Sequence, residues 1–371
     1  MTTKSAHSLV PPYIEELQAY KPGKSIDEIR EQYNPSRITK LGSNENRWGH
    51  SPKVEEALKN QWTSGNNYPD AGARKLRRKL ADIYDLSLDN IVLGHGSESL
   101  LSIIAKTFFL DEEDAVTAQG TFVGFFVQAR IRGIEVKRVP LTDDYRFDVE
   151  GLIEAMDDQT KMVYIANPNN PTGTYITVDE FEWLIDHLPE QTFVVIDEAY
   201  YEFARELEDY PDSMDYRLDN VITIRTFSKA YGLAGFRIGY AMGESTLIDY
   251  MYKTKLVFEP SMPAQKAALA ALEDEVFLGK TIEKTKSARQ RMYEILDRKN
   301  IDYAPSHANS VMLQMESQDT AESLTRDMMK EGVIVRPLAG FGLPACIRVT
   351  VGTKEDMDHF EKALDKVFTP R

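Results

Sequence analysis

Between residues 91 and 224 the chain alternates short apolar runs with longer stretches in which apolar side chains recur every three or four positions. The runs at 91–93, 114–118, 135–139, 162–166, 192–196 and 221–224 predict strands, and the stretches 97–109, 122–132, 148–156 and 178–187 predict helices. Alternation of this kind needs crossover connections, which build a mainly parallel sheet with helices on both faces. In such a sheet ligands collect outside the carboxyl ends of the strands. Past Tyr240 the pattern changes: 245–256 and 264–299 predict helices, 309–315, 333–337 and 346–351 strands, and 354–367 a closing helix. Upstream, residues 1–40 read as an arm with one amphipathic helix at 26–33. Ser51 and Pro52 then open a helix reaching about residue 60, and a basic helix spans 73–84. The expected organisation is an N-terminal arm with part of a small domain at 1–64, a large α/β domain at 65–260 and a smaller α+β domain at 261–371.

Charge and composition narrow the class. The 371 residues carry 59 acidic and 44 basic side chains, a formal charge of -15, which argues against nucleic acid or an anionic membrane as a partner. Cys346 is the only cysteine, so no intrachain disulfide and no thiolate cluster forms, and the six histidines lack a metal-ligand spacing. No run approaches membrane-spanning length, and the expected location is cytoplasmic.

Four polar groups fall at predicted strand ends. Gly94-His95-Gly96-Ser97-Glu98 is a glycine turn into a helix, whose free N–H groups and Ser97 suit a phosphate. In Asn167-Pro168-Asn169-Asn170-Pro171-Thr172-Gly173 two prolines fix the backbone while Asn170 offers an amide. Asp197 follows a buried run directly, and a carboxylate there needs a cation: an internal arginine or a protonated ring nitrogen. Tyr200 lies three residues on. The fourth group runs from Thr226 through Ser228 and Lys229 to Arg237 and Gly239, supplying hydroxyls, an amine and an anion clamp. A phosphate cradle, a carboxylate for a ring nitrogen, phenol and amide donors and an imine-forming lysine together fit pyridoxal 5′-phosphate.

With these motifs the chain resembles the fold-type I pyridoxal-phosphate aminotransferases, and within them the histidinol-phosphate aminotransferase group. The resemblance runs from Tyr20-Lys21-Pro22-Gly23-Lys24 and Leu41-Gly42-Ser43-Asn44-Glu45-Asn46 through the four groups to Ile347-Arg348-Val349-Thr350-Val351-Gly352. It implies a three-layer αβα sandwich with a smaller α+β domain. Lys229 would hold the cofactor as an imine and then move a proton, Asp197 would keep the ring nitrogen protonated, and Asn170 and Tyr200 would bind the ring oxygen. Phe122 would stack on the ring. Ser97, Thr226, Ser228 and Arg237 would hold the phosphate, with Glu98 beside Ser97 and Tyr68 reaching in from a second subunit. Arg348, Arg336, Asn44 and Tyr20, the last from the partner's arm, would hold the substrate. The implied protein is a cytoplasmic homodimer with shared active sites that takes small molecules. It would exchange amino groups between histidinol phosphate and 2-oxoglutarate by a ping-pong route through the Lys229 imine, in histidine biosynthesis. The alternatives are an aromatic (Phe/Tyr) aminotransferase or a related decarboxylase of a phosphorylated amino acid. One departure stands near the substrate entrance: Asn46-Arg47-Trp48-Gly49 replaces the family's usual Asn-Pro-Tyr-Gly.

Overall fold

Every apolar run expected to be a strand between residues 91 and 226 is one in the computed structural model, which describes residues 9–17, 26–59 and 65–368. Numbered along the chain, β1 is Thr39–Lys40, β2 Ile91–Gly94, β3 Asp114–Ala118, β4 Val136–Val139, β5 Thr160–Ala166, β6 Phe193–Asp197, β7 Val221–Thr226 and β8 Gly239–Met242. All but β1 form a seven-stranded sheet in the order β2-β8-β7-β6-β5-β3-β4. The pairs β7·β6, β6·β5, β5·β3 and β3·β4 are parallel, and β8 runs antiparallel to β2 and β7. The apolar pattern did not predict β8, which is four residues long and starts on a glycine.

Helices cover both faces, and successive residues of the strands divide between them. Val195, Ile222 and Ile224 pack with Leu100 and Ile104 of helix Ser97–Phe108 on one face. Val194 and Ile196 pack with Phe181 and Leu184 of helix Val178–His187 on the other. Burial on both sides is why β6 reads as an unbroken apolar run that ends abruptly at Asp197. The helix starts follow from local chemistry. Ser51 accepts a hydrogen bond from Lys53 N–H at 3.1 Å, as expected of a cap, and Thr177 forms a capping box with Glu180.

The rest of the chain carries β9 (Asp302–Ala304), β10 (Ser310–Gln314), β11 (Val333–Ile334), β12 (Arg336–Pro337) and β13 (Cys346–Thr350). Four of them make an antiparallel sheet, β12-β13-β10-β9, while β1 and β11 pair in parallel. The strand expected at 333–337 is therefore two, each in a different sheet. The helix expected at 264–299 is also two, Met262–Leu272 and Glu275–Asp297. Asp274 accepts from Phe277 N–H at 3.1 Å and so starts a new helix. Helix Gln318–Lys330 was not expected; its buried stripe of Ala321, Leu324, Thr325 and Met328 is weakly apolar. Helix Glu275–Asp297 contributes to two cores. Leu278 and Ile282 still pack with Ala264 and Met242 beside the large sheet, whereas Ala288 and Met292 of the same helix pack with Val311 and Phe360.

Candidate active site

Three parallel strands and one helix bring the four motifs to a single cavity of about 220 Å³. β5 leads into Asn170, β6 ends on Asp197 and runs into Tyr200, and β7 ends on Thr226 and delivers Ser228 and Lys229. Ser97 and Glu98 enter from the first turn of helix Ser97–Phe108, and Arg237 completes the wall.

Asp197 is 3% exposed, and its partners are neutral. Tyr164 on β5 donates its hydroxyl to Oδ2 at 2.9 Å, and Ala199 N–H reaches Oδ1 at 3.2 Å. Burial pushes the carboxyl up from 3.8 to about 6, against the pull of the Tyr164 and Ala199 hydrogen bonds and of the Lys229 charge. Among the described residues no lysine or arginine pairs with it. The internal arginine goes next door: Glu198, the following residue, receives Arg225 Nε at 2.8 Å.

Arg348 is the converse case, a guanidinium 5% exposed with no carboxylate partner among the described residues. Its Nη1 donates to the amide oxygen of Asn170 and its Nη2 to the carbonyl of Gly42 at 2.9 Å, while Nε has no partner among the described residues. Burial, with nearby Arg336, lowers it to about 10 despite Tyr200. Because the amide oxygen of Asn170 is engaged by Arg348, its NH₂ is the group left for the cavity. Tyr200 is held in turn by Asn44, whose Nδ2 donates to the phenol oxygen at 2.8 Å.

The phosphate-like corner is built by close backbone approach. Gly96 has φ +81°, and a Cβ there would stand 2.8 Å from Arg237 Nη2; a Cβ on Gly239 would stand 3.0 Å from Ser97 N. Thr226 Oγ1 accepts from Ser228 N–H at 3.2 Å, which ties the two hydroxyl-bearing residues into one turn. Hydroxyls, helix-terminal N–H groups and a guanidinium thus face one small volume. Phe122 sits directly before helix Val123–Arg132, and Gly124 leaves room for its ring, since a Cβ there would lie 2.5 Å from it.

The sequence model of aminotransferase class I and II matches residues 36–364. The chain belongs to that family. Curated relatives include a histidinol-phosphate aminotransferase 2 of Carboxydothermus hydrogenoformans, 39% identical over 95% of this chain and 98% of that protein. A histidinol-phosphate aminotransferase of a Geobacillus species is 37% identical over 95% of this chain and 96% of that protein. Among solved structures, histidinol-phosphate aminotransferase from Sinorhizobium meliloti in complex with pyridoxal-5′-phosphate is 31% identical, with a TM-score of 0.89 over 98% of each chain.

In this aminotransferase most of the residues expected at the site line the cavity: Ser97, Glu98, Phe122, Asn170, Asp197, Tyr200, Thr226, Ser228, Lys229 and Arg237. Asn44 and Arg348 stand one hydrogen bond behind it. Arg336 pairs in register with Arg348 on the neighbouring strand, over the ring of Phe341, outside the cavity wall. Tyr68 is 78% exposed and stacks on Phe258 at 4.2 Å, away from this chain's own cavity. Tyr20 lies outside the described residues. Sequence reasoning missed Ser43 and Glu45, which line the cavity from loop 41–49, and Tyr164. Tyr164 reads as a core aromatic inside an apolar strand; only its register opposite β6 reveals the hydroxyl's target.

Proposed function

We propose that this aminotransferase uses pyridoxal 5′-phosphate to transfer an amino group from histidinol phosphate to 2-oxoglutarate, forming imidazole acetol phosphate and glutamate in histidine biosynthesis. The observation that carries the reading is the set of unfinished charges near Lys229: a buried carboxylate in the cavity wall with no ion-pair partner among the described residues, and, one hydrogen bond behind the wall through Asn170, a buried guanidinium with no carboxylate partner among them. The residues fit this cofactor, because Asp197 lacks the positive partner that a protonated ring nitrogen provides and the glycine-lined corner leaves room for a phosphate. The choice of histidinol phosphate is supported by relatives of that name at 37–39% identity over nearly the whole chain.

When bound, the cofactor supplies a carbonyl carbon that exchanges amines and a ring that takes up the charge left on the substrate carbon. Lys229 Nζ would anchor it and, once freed, would move the proton from the substrate carbon bearing nitrogen to the carbon at which the amines exchange. The Asp197 carboxylate supplies the negative charge a protonated ring nitrogen needs. Asn170 Nδ2 and the Tyr200 hydroxyl would bind the ring oxygen, and Phe122 would cover the ring. Ser97, Thr226, Ser228, Arg237 and the first-turn N–H groups by Glu98 hold the phosphate. Arg348 offers a two-pronged grip to a carboxylate, with Arg336 beside it.

The homodimer with shared sites is supported by an exposed apolar patch. Tyr68, Leu256, Val257 and Phe258 lie on the surface, and Leu256 borders a second cavity that reaches Arg237 and Glu98. A second copy covering this patch brings its Tyr68 to the phosphate corner. The small-molecule biosynthetic reaction supports a cytoplasmic location; no helix among the described residues is long and apolar enough to cross a membrane.

The test is a half-reaction panel that follows the visible absorbance of the bound cofactor after mixing with histidinol phosphate, phenylalanine, tyrosine or glutamate. Histidinol phosphate is expected to give the largest kcat/KM among the amino donors. Phenylalanine far ahead of it defeats the substrate assignment while leaving aminotransfer intact. Borohydride treatment followed by peptide mass spectrometry is expected to find the cofactor on Lys229. Lys229→Ala is expected to show no such adduct.

A further inference from the structure

Loop 41–49 is carried by one half of the molecule and works on the other. Leu41 is buried in the core of the carboxyl-terminal sheet; its N–H donates to Ile334 and its carbonyl accepts from Thr350 N–H, both at 2.8 Å. Asn44 N–H donates to Thr350 Oγ1 at 2.9 Å, Asn309 Nδ2 donates to the Asn44 carbonyl at 3.1 Å, and Trp48 packs on the same core. Arg47 adds a two-point ion pair: Nε to Asp356 Oδ2 at 2.9 Å and Nη2 to Oδ1 at 3.1 Å. Asp356 sits in the first turn of helix Lys354–Val367 with its side chain 3% exposed. Its Oδ2 also accepts from Thr353 N–H at 3.2 Å, and Arg37 approaches Oδ1 at 3.4 Å. Burial pushes the Asp356 carboxyl up, but the hydrogen bond and charge of Arg47 outweigh it and hold the carboxyl below its usual range. The neighbouring backbone accommodates the pair, since a Cβ on Gly352 would stand 3.0 Å from Arg47 Cγ.

From this support two side chains cross to the catalytic turns. Asn44 Nδ2 holds the Tyr200 hydroxyl at 2.8 Å, and Asn46 Nδ2 holds the carbonyl of Ala230, the residue after Lys229, at 2.9 Å. At the loop's end the Gly49 carbonyl presses so close to Gly232 that a Cβ there would lie 2.0 Å away. Arg47 itself does not line the cavity, whereas Ser43 and Glu45 of the same loop do.

We propose that Arg47 and Asp356 form a positioning pair for aminotransfer: the ion pair sets the loop over the cavity, and through Asn44 and Asn46 the loop sets the Tyr200 hydroxyl and the turn that carries Lys229. This rests on the reading of the cavity as a pyridoxal-phosphate aminotransferase site. Arginine suits the task because its planar fork fixes orientation as well as distance, which a lysine's point charge does not. Small displacements of groups around a reacting carbon are costly in rate, up to about a hundredfold for 1 Å.

The experiment compares wild type, Arg47→Ala, Arg47→Lys, Asp356→Asn and Asn44→Ala with Asn46→Ala, the last pair also combined with Arg47→Ala. It reads kcat and KM of the first half-reaction, the pH at which the bound cofactor's absorbance changes, and the thermal midpoint. Arg47→Ala is expected to lower kcat about tenfold with little change in KM. It should also move the spectral pH midpoint in the direction that the Asn44→Ala, Asn46→Ala pair moves it, with Arg47→Lys and Asp356→Asn in between. In the Asn44→Ala, Asn46→Ala background Arg47→Ala is expected to cost less than about twofold more in kcat, because the path it acts through is gone. A wild-type kcat and spectral midpoint in Arg47→Ala overturn the proposal, and so does a full tenfold loss in the doubly substituted background. If Arg47→Ala does not fold, Arg47→Lys and Asp356→Asn carry the same comparison with a loss of about threefold, and wild-type kcat in both overturns it. A wild-type protein without transaminase activity overturns the functional reading itself, an outcome distinct from the others.

Discussion

Two arginines are buried on strands of this protein, and they have opposite surroundings. Arg225 on β7 is 0% exposed, donates Nε to Glu198 at 2.8 Å and Nη2 to Asp212 at 2.6 Å, and lies 3.4 Å over the ring of Tyr201. Burial works against its charge, yet Glu198 and its other neighbours outweigh that and raise it well above the ordinary value. Arg348 on β13 donates to an amide oxygen and a backbone carbonyl and has no carboxylate partner among the described residues, and burial pulls it down to about 10. The carboxylates mirror this division. Glu198 is spent on Arg225, whereas Asp197, one residue earlier and therefore leaving the chain on the other side, has only neutral donors. A fold completes its structural charges internally; those it leaves unfinished beside a cavity are the ones a ligand completes.

The comparison breaks first at Arg225. Arg225→Ala strands Glu198 and Asp212 without their cation and is expected to destabilise the protein by about 3–5 kcal/mol, read from urea unfolding with and without cofactor. Asp197→Asn should do the reverse: the cofactor-free protein unfolds no more easily than wild type, while the half-reaction slows roughly 10²–10³-fold for want of a charge at the ring. A stable Arg225→Ala, or an Asp197→Asn that fails to fold, would remove the distinction between the two carboxylates.

That distinction was only half legible in the sequence. A carboxylate directly after Phe193-Val194-Val195-Ile196 had to meet a cation, and both an arginine and a ring nitrogen satisfied that demand. The strands and their ends were readable because a doubly covered parallel strand is a continuous apolar run, and ligand groups follow it immediately. Which acid takes Arg225 is a tertiary fact, set by the register of β6 against β7. The same holds for Tyr164, a hydroxyl hidden in a strand pattern, and for Arg47, whose partner lies 309 positions away. β8 was lost because four residues starting on glycine carry little periodic signal, and helix Gln318–Lys330 because alanine and threonine fill half its buried stripe.

A subtler test uses pH. The Asp197 carboxyl of the cofactor-free fold is raised from 3.8 to about 6, so between those values the folded chain keeps a proton that the unfolded chain has released. Stability from this group is therefore fully present below its unfolded value and is lost as pH rises through about 6, a contribution of about 3 kcal/mol. Acid groups elsewhere titrate in both proteins, so the difference in unfolding free energy between wild type and Asp197→Asn isolates it. That difference should shift toward the variant as pH rises from 4 to 6 and stay level above. Parallel curves would mean that Asp197 already has a compensating charge in the empty protein.

The smallest expected change, Arg348→Lys, separates the two arginines most cleanly. Lysine keeps the charge and loses the planar fork, so the KM for 2-oxoglutarate should rise roughly tenfold, about 1.4 kcal/mol, with kcat for the donor half-reaction nearly unchanged. Among the described residues Arg348 Nε has no partner and no carboxylate pairs with the guanidinium. Its replacement therefore strands no buried anion, and the thermal midpoint should stay level or rise. Arg225→Lys, by contrast, must hold Glu198 and Asp212 with one point charge where a fork now reaches both, and its midpoint should fall. If the two lysine variants lost equal stability, Arg348 would be as much a part of the fold's own charge balance as Arg225, and the carboxylate grip would have to be sought at Arg336.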